Sequence, residues 1–280
     1  MTLPIPATPA DVPLFEALTS VEVEAAVAAG APVIVPLGAT EQHGSHLPLG
    51  TDTYQGVEVA RRTIHRLAGE GLAAVLGPVI PFGPPMFLSE SPKDRPGTIA
   101  ISNRLLIDLT DAVVRELVRS GFRTIYLLMA NAESDPAMQI VAKEVTEQTP
   151  ANVVTLNWLV GTQKTYRSGI LKSEKPQGHA GEGETARMLV TAPHLVHMER
   201  AVSWHPSFPA SEVEERMPYL GGAIGRYRYD DESFAGFSDG PTGDPANALP
   251  ETGEASYRLI VDWVVAVLRS DAATGIARGR

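Results

Sequence analysis

The chain has 280 residues, 23 Lys and Arg against 33 Asp and Glu for a net charge of −10, and no cysteine. That length can bury a substantial core and is most simply one domain. The acidic balance leaves no basic stripe to displace counterions from a phosphate backbone, and no apolar run reaches membrane-spanning length, so nucleic acid and membrane are excluded as partners. Without cysteine there is no disulfide, thiolate nucleophile or thiolate ligand. The N-terminus lacks the charged-then-apolar pattern of a signal peptide, so the expected location is the cytoplasm.

Prolines at 4, 6, 9 and 13 make residues 1–18 an irregular arm. A helix follows from about Ser20 to Ala29, then an apolar β-branched strand over residues 32–37. Gly38 breaks that strand, and a polar loop follows holding Glu41, His43, His46 and Asp52. Val57, Ala60, Ile64 and Leu67 then recur at helical spacing, predicting a helix over about 53–68. Ala73 to Leu76 reads as a second buried strand. Pro78 to Pro96 is too proline-rich for helix or central strand, and a loop of that length inside a domain is usually functional.

Leu105 to Val118 is an amphipathic helix stopped by Gly121. Thr124 to Met129 is a buried strand that runs into the turn Asn131-Ala132-Glu133-Ser134-Asp135-Pro136. A helix is predicted from about Pro136 to Thr149 and a strand from Val153 to Trp158. Strands alternating with helices at this spacing predict an α/β fold, a mainly parallel sheet flanked by helices on both faces. The segment from His179 precedes a short helix to about Thr191. Residues 205–250, rich in Pro, Gly and aromatics, read as surface or interface loops. A closing helix spans Glu251 to Leu268, and a frayed tail begins at Asp271.

The chemistry concentrates in the first loop. A Glu-x-His pair with an Asp nine residues beyond the His places three metal-capable groups where a strand hands over to a helix, the edge at which open α/β sheets bind ligands. Two carboxylates and an imidazole suit Zn, Mn or Fe. By spacing alone the alternative is a solvated loop in which His43 and His46 make only local hydrogen bonds.

The run Pro36-Leu37-Gly38-Ala39-Thr40-Glu41-Gln42-His43-Gly44-Ser45-His46-Leu47-Pro48, closing on Asp52, resembles the signature loop of the creatininase (creatinine amidohydrolase) family. The likeness extends through Pro96-Gly97-Thr98, His179-Ala180-Gly181-Glu182-Gly183-Glu184-Thr185 and Gly243-Asp244-Pro245, covering residues 33 to 265. It implies Glu41, His43 and Asp52 as metal ligands, with Asp52 bridging two ions. The family's second ligand turn is Asn-Gly-His with a Glu two residues later. Here Glu133 stands at the His position and Asp135 at the Glu position. The implied sets are Glu41, Asp52 and Glu133 on one ion and His43, Asp52 and Asp135 on the other. Four carboxylates and one imidazole shift the preference from Zn towards Mn or Mg, with Fe also possible. The competing reading is a decayed site in which Glu133 and Asp135 only favour the following helix N-terminus.

The resemblance further implies His179 as proton donor to the leaving nitrogen, and Thr98, Trp158, Glu182 and Glu184 beside the substrate. The proline-rich loop carries Ser89-Glu90-Ser91 where the family has a Glu-His pair. The expected protein is therefore a homo-oligomer, as a hexamer, acting on a small molecule. Its expected reaction is metal-dependent hydrolysis of a non-peptide C–N bond, in a lactam or formamide, by water held between two divalent ions. A lactone or cyclic-ketone hydrolase, or an inert binding or assembly subunit, are the alternatives.

Overall fold

A computed structural model describes residues 6–84, 96–174, 177–205 and 242–275. Ser89-Glu90-Ser91 and most of the 205–250 stretch lie outside the described residues. Four strands form one parallel sheet: β1 (Val33–Leu37), β2 (Val75–Leu76), β3 (Thr124–Met129) and β4 (Asn152–Asn157), in the order β2-β1-β3-β4. β1 and β3 are buried along their whole length, which explains why their sequences are continuous apolar runs rather than alternating ones.

Alternate residues of each central strand serve opposite faces. On one face Val33, Val35, Leu37, Ile125, Leu127 and Met129 pack against α1 (Ser20–Ala28), α3 (Asn103–Arg119) and α4 (Asp135–Gln148). On the other, Ile34, Tyr126 and Leu128 meet α2 (Thr51–Gly69) and α8 (Pro250–Thr274). Both faces are covered, as the strand–helix alternation predicts. No described helix is long and apolar enough to cross a membrane.

Three boundaries differ from the sequence reading. α2 begins at Thr51, so Asp52 lies in its first turn rather than in the loop, where the helix dipole favours a carboxylate. β4 stops at Asn157, whose side chain caps α5 (Trp158–Gly161) by accepting from the Val160 N–H, and α6 (Gln163–Gly169) follows at once. α8 runs on to Thr274 and ends on Gly275 in the left-handed conformation, so residues 271–274 are helical rather than frayed.

Strand order reverses between β1 and β3: the chain leaves β1 towards β2 on one side and returns to β3 on the other. Such a switch point opens a crevice at the carboxyl ends of the two strands. The loop after β1, the turn after β3 and the start of α2 all converge there. α7 (Glu182–Thr191) packs across α2 and α8 to close the crevice.

Candidate active site

At that crevice lies a cavity of about 110 Å³, whose walls include Glu41, Asp52, Glu133, Trp158, His179 and Glu184. The buried His43 beneath it is held by its own backbone. Its Nδ1 lies 3.0 Å from the Glu41 carbonyl oxygen, which can only accept, so Nδ1 carries the proton. The other nitrogen, Nε2, faces Asp52 Oδ1 at 3.0 Å and Glu184 Oε2 at 3.6 Å. Without a cation, only a second proton reconciles that nitrogen with two carboxylates. Burial opposes the charge, but Asp52, Glu184 and Glu41 outweigh it and push the imidazolium up to about 10. The charged ring in turn holds Asp52 below its ordinary value despite burial, while burial pushes Glu184 up.

His179 repeats the arrangement. Its Nε2 donates to the Gln42 carbonyl at 2.6 Å, leaving Nδ1 turned on Glu41 Oε1 at 3.7 Å, and its ring lies 4.3 Å from that of His43. Glu41, His43 and His179 form one group of potential ligand atoms, and His43, Asp52 and Glu184 a second. Two atoms that each sit about 2.0–2.2 Å from one ion are roughly 3–3.6 Å apart, close to the separations found here. A backbone carbonyl fixing each imidazole through its other nitrogen is the usual support of a metal-binding histidine. The donor set therefore fits a divalent cation.

Asn131, at the end of β3, ties the two groups together: its amide donates to Glu41 Oε1 and to Asp52 Oδ2, each at 3.2 Å. Glu184 is placed by α7, and the N–H of Ala180 donates to its Oε2 at 2.7 Å. Ala180 itself sits at φ 50°, a left-handed conformation that L-residues rarely adopt. That turn sets His179 and Glu184 on the same wall of the cavity.

The remaining expected residues fall elsewhere around this centre. Glu133 lines the cavity without entering either ligand group, and burial alone pushes its carboxyl up to about 7. Asp135 is the first residue of α4, half-buried, and neither lines the cavity nor joins a ligand group among the described residues. Trp158 is a buried wall of the cavity. Glu182 faces away, accepting from the backbone N–H groups of Lys172 and Ser173 at 2.8 Å each. Thr98 accepts from the Gln42 N–H at 3.0 Å and so braces the first loop from outside. His46 is buried against Thr185 at 2.9 Å, where burial and then the neighbouring His43 push it down to about 4.

Sequence reading passed over Tyr166 and Arg187, both of which line the cavity. Arg187 is buried at 3% exposure; Nε donates to Gln55 Oε1 at 2.6 Å, and Nη1 to the Tyr166 hydroxyl and to Ser256 Oγ at 3.0 Å each. The available signal was a lone cation three residues after Glu184, which puts both on one face of a helix. Gly183 makes room for this arrangement, because a Cβ there would lie 1.4 Å from the Tyr166 hydroxyl.

The sequence pattern of the Creatininase family, described as creatinine amidohydrolase, matches residues 16–268. The chain belongs to the creatininase family. It is 37% identical over 236 residues to a mycofactocin precursor peptide peptidase of Mycobacterium ulcerans, covering 82% of this chain and 81% of that one. It is 29% identical over 211 residues to a creatinine amidohydrolase of Pseudomonas putida, covering 70% and 78%. A 3-dehydro-scyllo-inosose hydrolase of Thermotoga maritima is 24% identical over 249 residues, covering 85% and 76%. Among solved structures, a manganese form of creatininase superposes with a TM-score of 0.68 at 24% identity, covering 92% of this chain and 98% of that one. A zinc–zinc form of a creatininase variant gives 0.64 at 23% identity, covering 92% and 97%. These structural likenesses establish the creatininase fold, and the family's relatives are hydrolases.

Proposed function

We propose that this creatininase-family chain hydrolyses a non-peptide C–N bond in a small molecule, a lactam or a formamide, with divalent metal held by Glu41, His43, Asp52, His179 and Glu184. The observation that carries this is the pair of imidazoles. Each gives one N–H to a backbone carbonyl and turns its other nitrogen on buried carboxylates. Three carboxylates and two imidazoles suit Zn as well as Mn. A divalent cation bound there supplies Lewis-acid polarisation of the carbonyl and makes water ionisable near neutral pH.

The chain's own groups do the rest. Asn131 holds the Glu41 and Asp52 carboxylates in register. Glu133, with a carboxyl poised at about 7 and no hydrogen-bond donor against it among the described residues, takes the proton of the attacking water and passes it to the leaving nitrogen. Trp158 walls the site from bulk water. On this reading Glu133 moves protons rather than binding metal, and Asp135 serves the start of α4.

Elemental analysis of protein purified without chelator tests the assignment. Asp52→Ala and Glu41→Ala should lose both metal and turnover; full activity in either sinks the reading. Glu133→Gln should keep its metal and lose turnover by about 100-fold or more. Metal loss in that variant would instead return Glu133 to the ligand set. We also take the protein to be a cytoplasmic homo-oligomer with two ions per chain and a hexameric assembly, which light scattering of the purified protein checks.

A further inference from the structure

Arg187 raises a question that hydrolysis of a neutral amide does not answer. Its guanidinium is buried and lies 5.8 Å from the centre of the Tyr166 ring, yet its three hydrogen bonds among the described residues go to neutral oxygens, those of Gln55, Tyr166 and Ser256. No carboxylate lies within ion-pair distance of it among the described residues. The nearest acidic residue on its own helix, Glu184, is turned towards His43 and the Ala180 N–H. Nη2 donates to nothing among the described residues. Glu184 favours the charge only from beyond ion-pair distance, so a buried guanidinium whose hydrogen bonds all go to neutral acceptors still leaves a place for an anion in direct contact.

A second donor without a partner belongs to another residue of the same cavity wall. The Trp158 indole N–H is buried without an acceptor among the described residues. A donor left unpaired in such a wall costs desolvation that an acceptor supplied from outside recovers. The spacing is also informative. Glu184 and Arg187 are three residues apart on α7, about 4.5 Å along the helix axis at the usual rise per residue. One end of the cavity wall therefore serves the metal-binding groups, and a cation sits one turn further on.

We infer that Arg187, with Trp158 beside it in the cavity wall, binds a carboxylate of the substrate, so that the amide hydrolysed belongs to a small acid whose carboxylate lies a few bonds from the scissile carbonyl. The inference deepens the hydrolase reading and rests on it for the position of that carbonyl. The simpler role for Arg187, a brace joining α2, α7 and α8 through Gln55 and Ser256, accounts for Nε and Nη1 but leaves Nη2 and the indole N–H unexplained.

Calorimetric titration of the metal-loaded protein with two matched pairs tests it: 5-oxoproline against 5-oxoprolinamide, and N-formylglycine against N-formylglycinamide. In at least one pair the acid should bind about tenfold or more tighter than its amide, as expected for hydrogen bonds to a charged group. Arg187→Lys keeps the charge but loses the planar fork, and should abolish most of that preference. Trp158→Phe removes only the N–H and should reduce it. The preference should persist after chelation, which separates Arg187 from direct capture of the acid by metal. Equal binding of acid and amide, binding of neither, or a preference that survives Arg187→Lys would overturn the inference. Should Arg187→Lys fail to fold, a preference untouched by Trp158→Phe overturns it alone. Acid preference without hydrolysis in the loaded enzyme would remove the hydrolase reading and leave only the carboxylate site at Arg187. Hydrolysis without acid preference does the reverse.

Discussion

Glu133 differs from the other carboxylates at the cavity in having no donor to hold its charge among the described residues, and its raised pKa has a thermodynamic sign. A folded-state value of about 7, against an ordinary 4.5, means that the folded protein binds this proton more tightly than the unfolded chain does. The associated stability is fully present below pH 4.5 and is lost as pH rises through 7. In metal-free protein this should amount to about 3 kcal/mol between pH 4.5 and pH 8. His46, pushed down to about 4, titrates in the opposite sense: its contribution is present above pH 6.5 and lost as pH falls through 4. Comparing wild type with Glu133→Gln by denaturant unfolding at both pH values cancels His46 and isolates Glu133. An unchanged difference between the two proteins would contradict the burial assigned to this carboxyl. At this scale the sequence was informative about Glu41, His43 and Asp52, because the twelve residues 41–52 across one strand–helix handover bring them together whatever the rest of the chain does. The family resemblance put Glu184 beside the substrate, but no spacing announced its approach to His43. That residue's partner, His43, is far away in sequence, and only the docking of α7 brings its carboxylate to the imidazole.

At the scale of elements, α7 is held in place by close approach to α8. A Cβ on Gly253 would lie 2.1 Å from the Ala186 carbonyl oxygen, a contact with backbone that no rotamer change relieves. Gly253→Ala should therefore cost about 2 kcal/mol or more and displace α7. The expected signature is a lowered unfolding midpoint together with weakened metal binding, since Glu184 moves with its helix. Gly183→Ala makes a more local test. The methyl group must expel the Tyr166 hydroxyl, so the fold should persist while the Tyr166–Arg187 hydrogen bond is lost. The long elements were readable because β1 and β3 are uninterrupted apolar runs and α3 carries a clear amphipathic stripe. α5 and α6 were not, because both are too short to establish a period. β4 was placed one residue late because Trp158 continues its apolar pattern, and the Asn157 side-chain cap that ends the strand is a tertiary choice.

For the molecule as a whole, metal and proton compete at one place. His43 must give up the proton it shares with Asp52 before its Nε2 can bind a cation, so affinity should fall as pH is lowered and binding should release protons into the buffer. A pH-indicator titration measures that release directly. Because the proposed ligands come from β1's loop, α2, the turn before α7 and α7 itself, metal binding would couple these elements. Saturation at roughly 100 times Kd should add about 2.7 kcal/mol, raising Tm by about 5–10 °C relative to chelated protein. A Tm indifferent to chelation would mean that the groups are not joined by an ion.

The bridge between Trp204 and Gly243 has a further consequence. Their reciprocal backbone hydrogen bonds, at 3.0 and 2.7 Å, with His205 donating to Asp244, close the chain on itself at both ends of residues 206–241. The next residue, Thr242, donates from its N–H to the His179 carbonyl and accepts from the Gly178 N–H at 2.8 Å, so the closure adjoins the cavity wall. Whatever is spliced between those ends is entered and left through one fixed seam, and each doubling or halving of its length alters the closure entropy by only about 0.6 kcal/mol. The described residues at the seam thus fix where the chain leaves and rejoins the cavity wall, whatever length lies between.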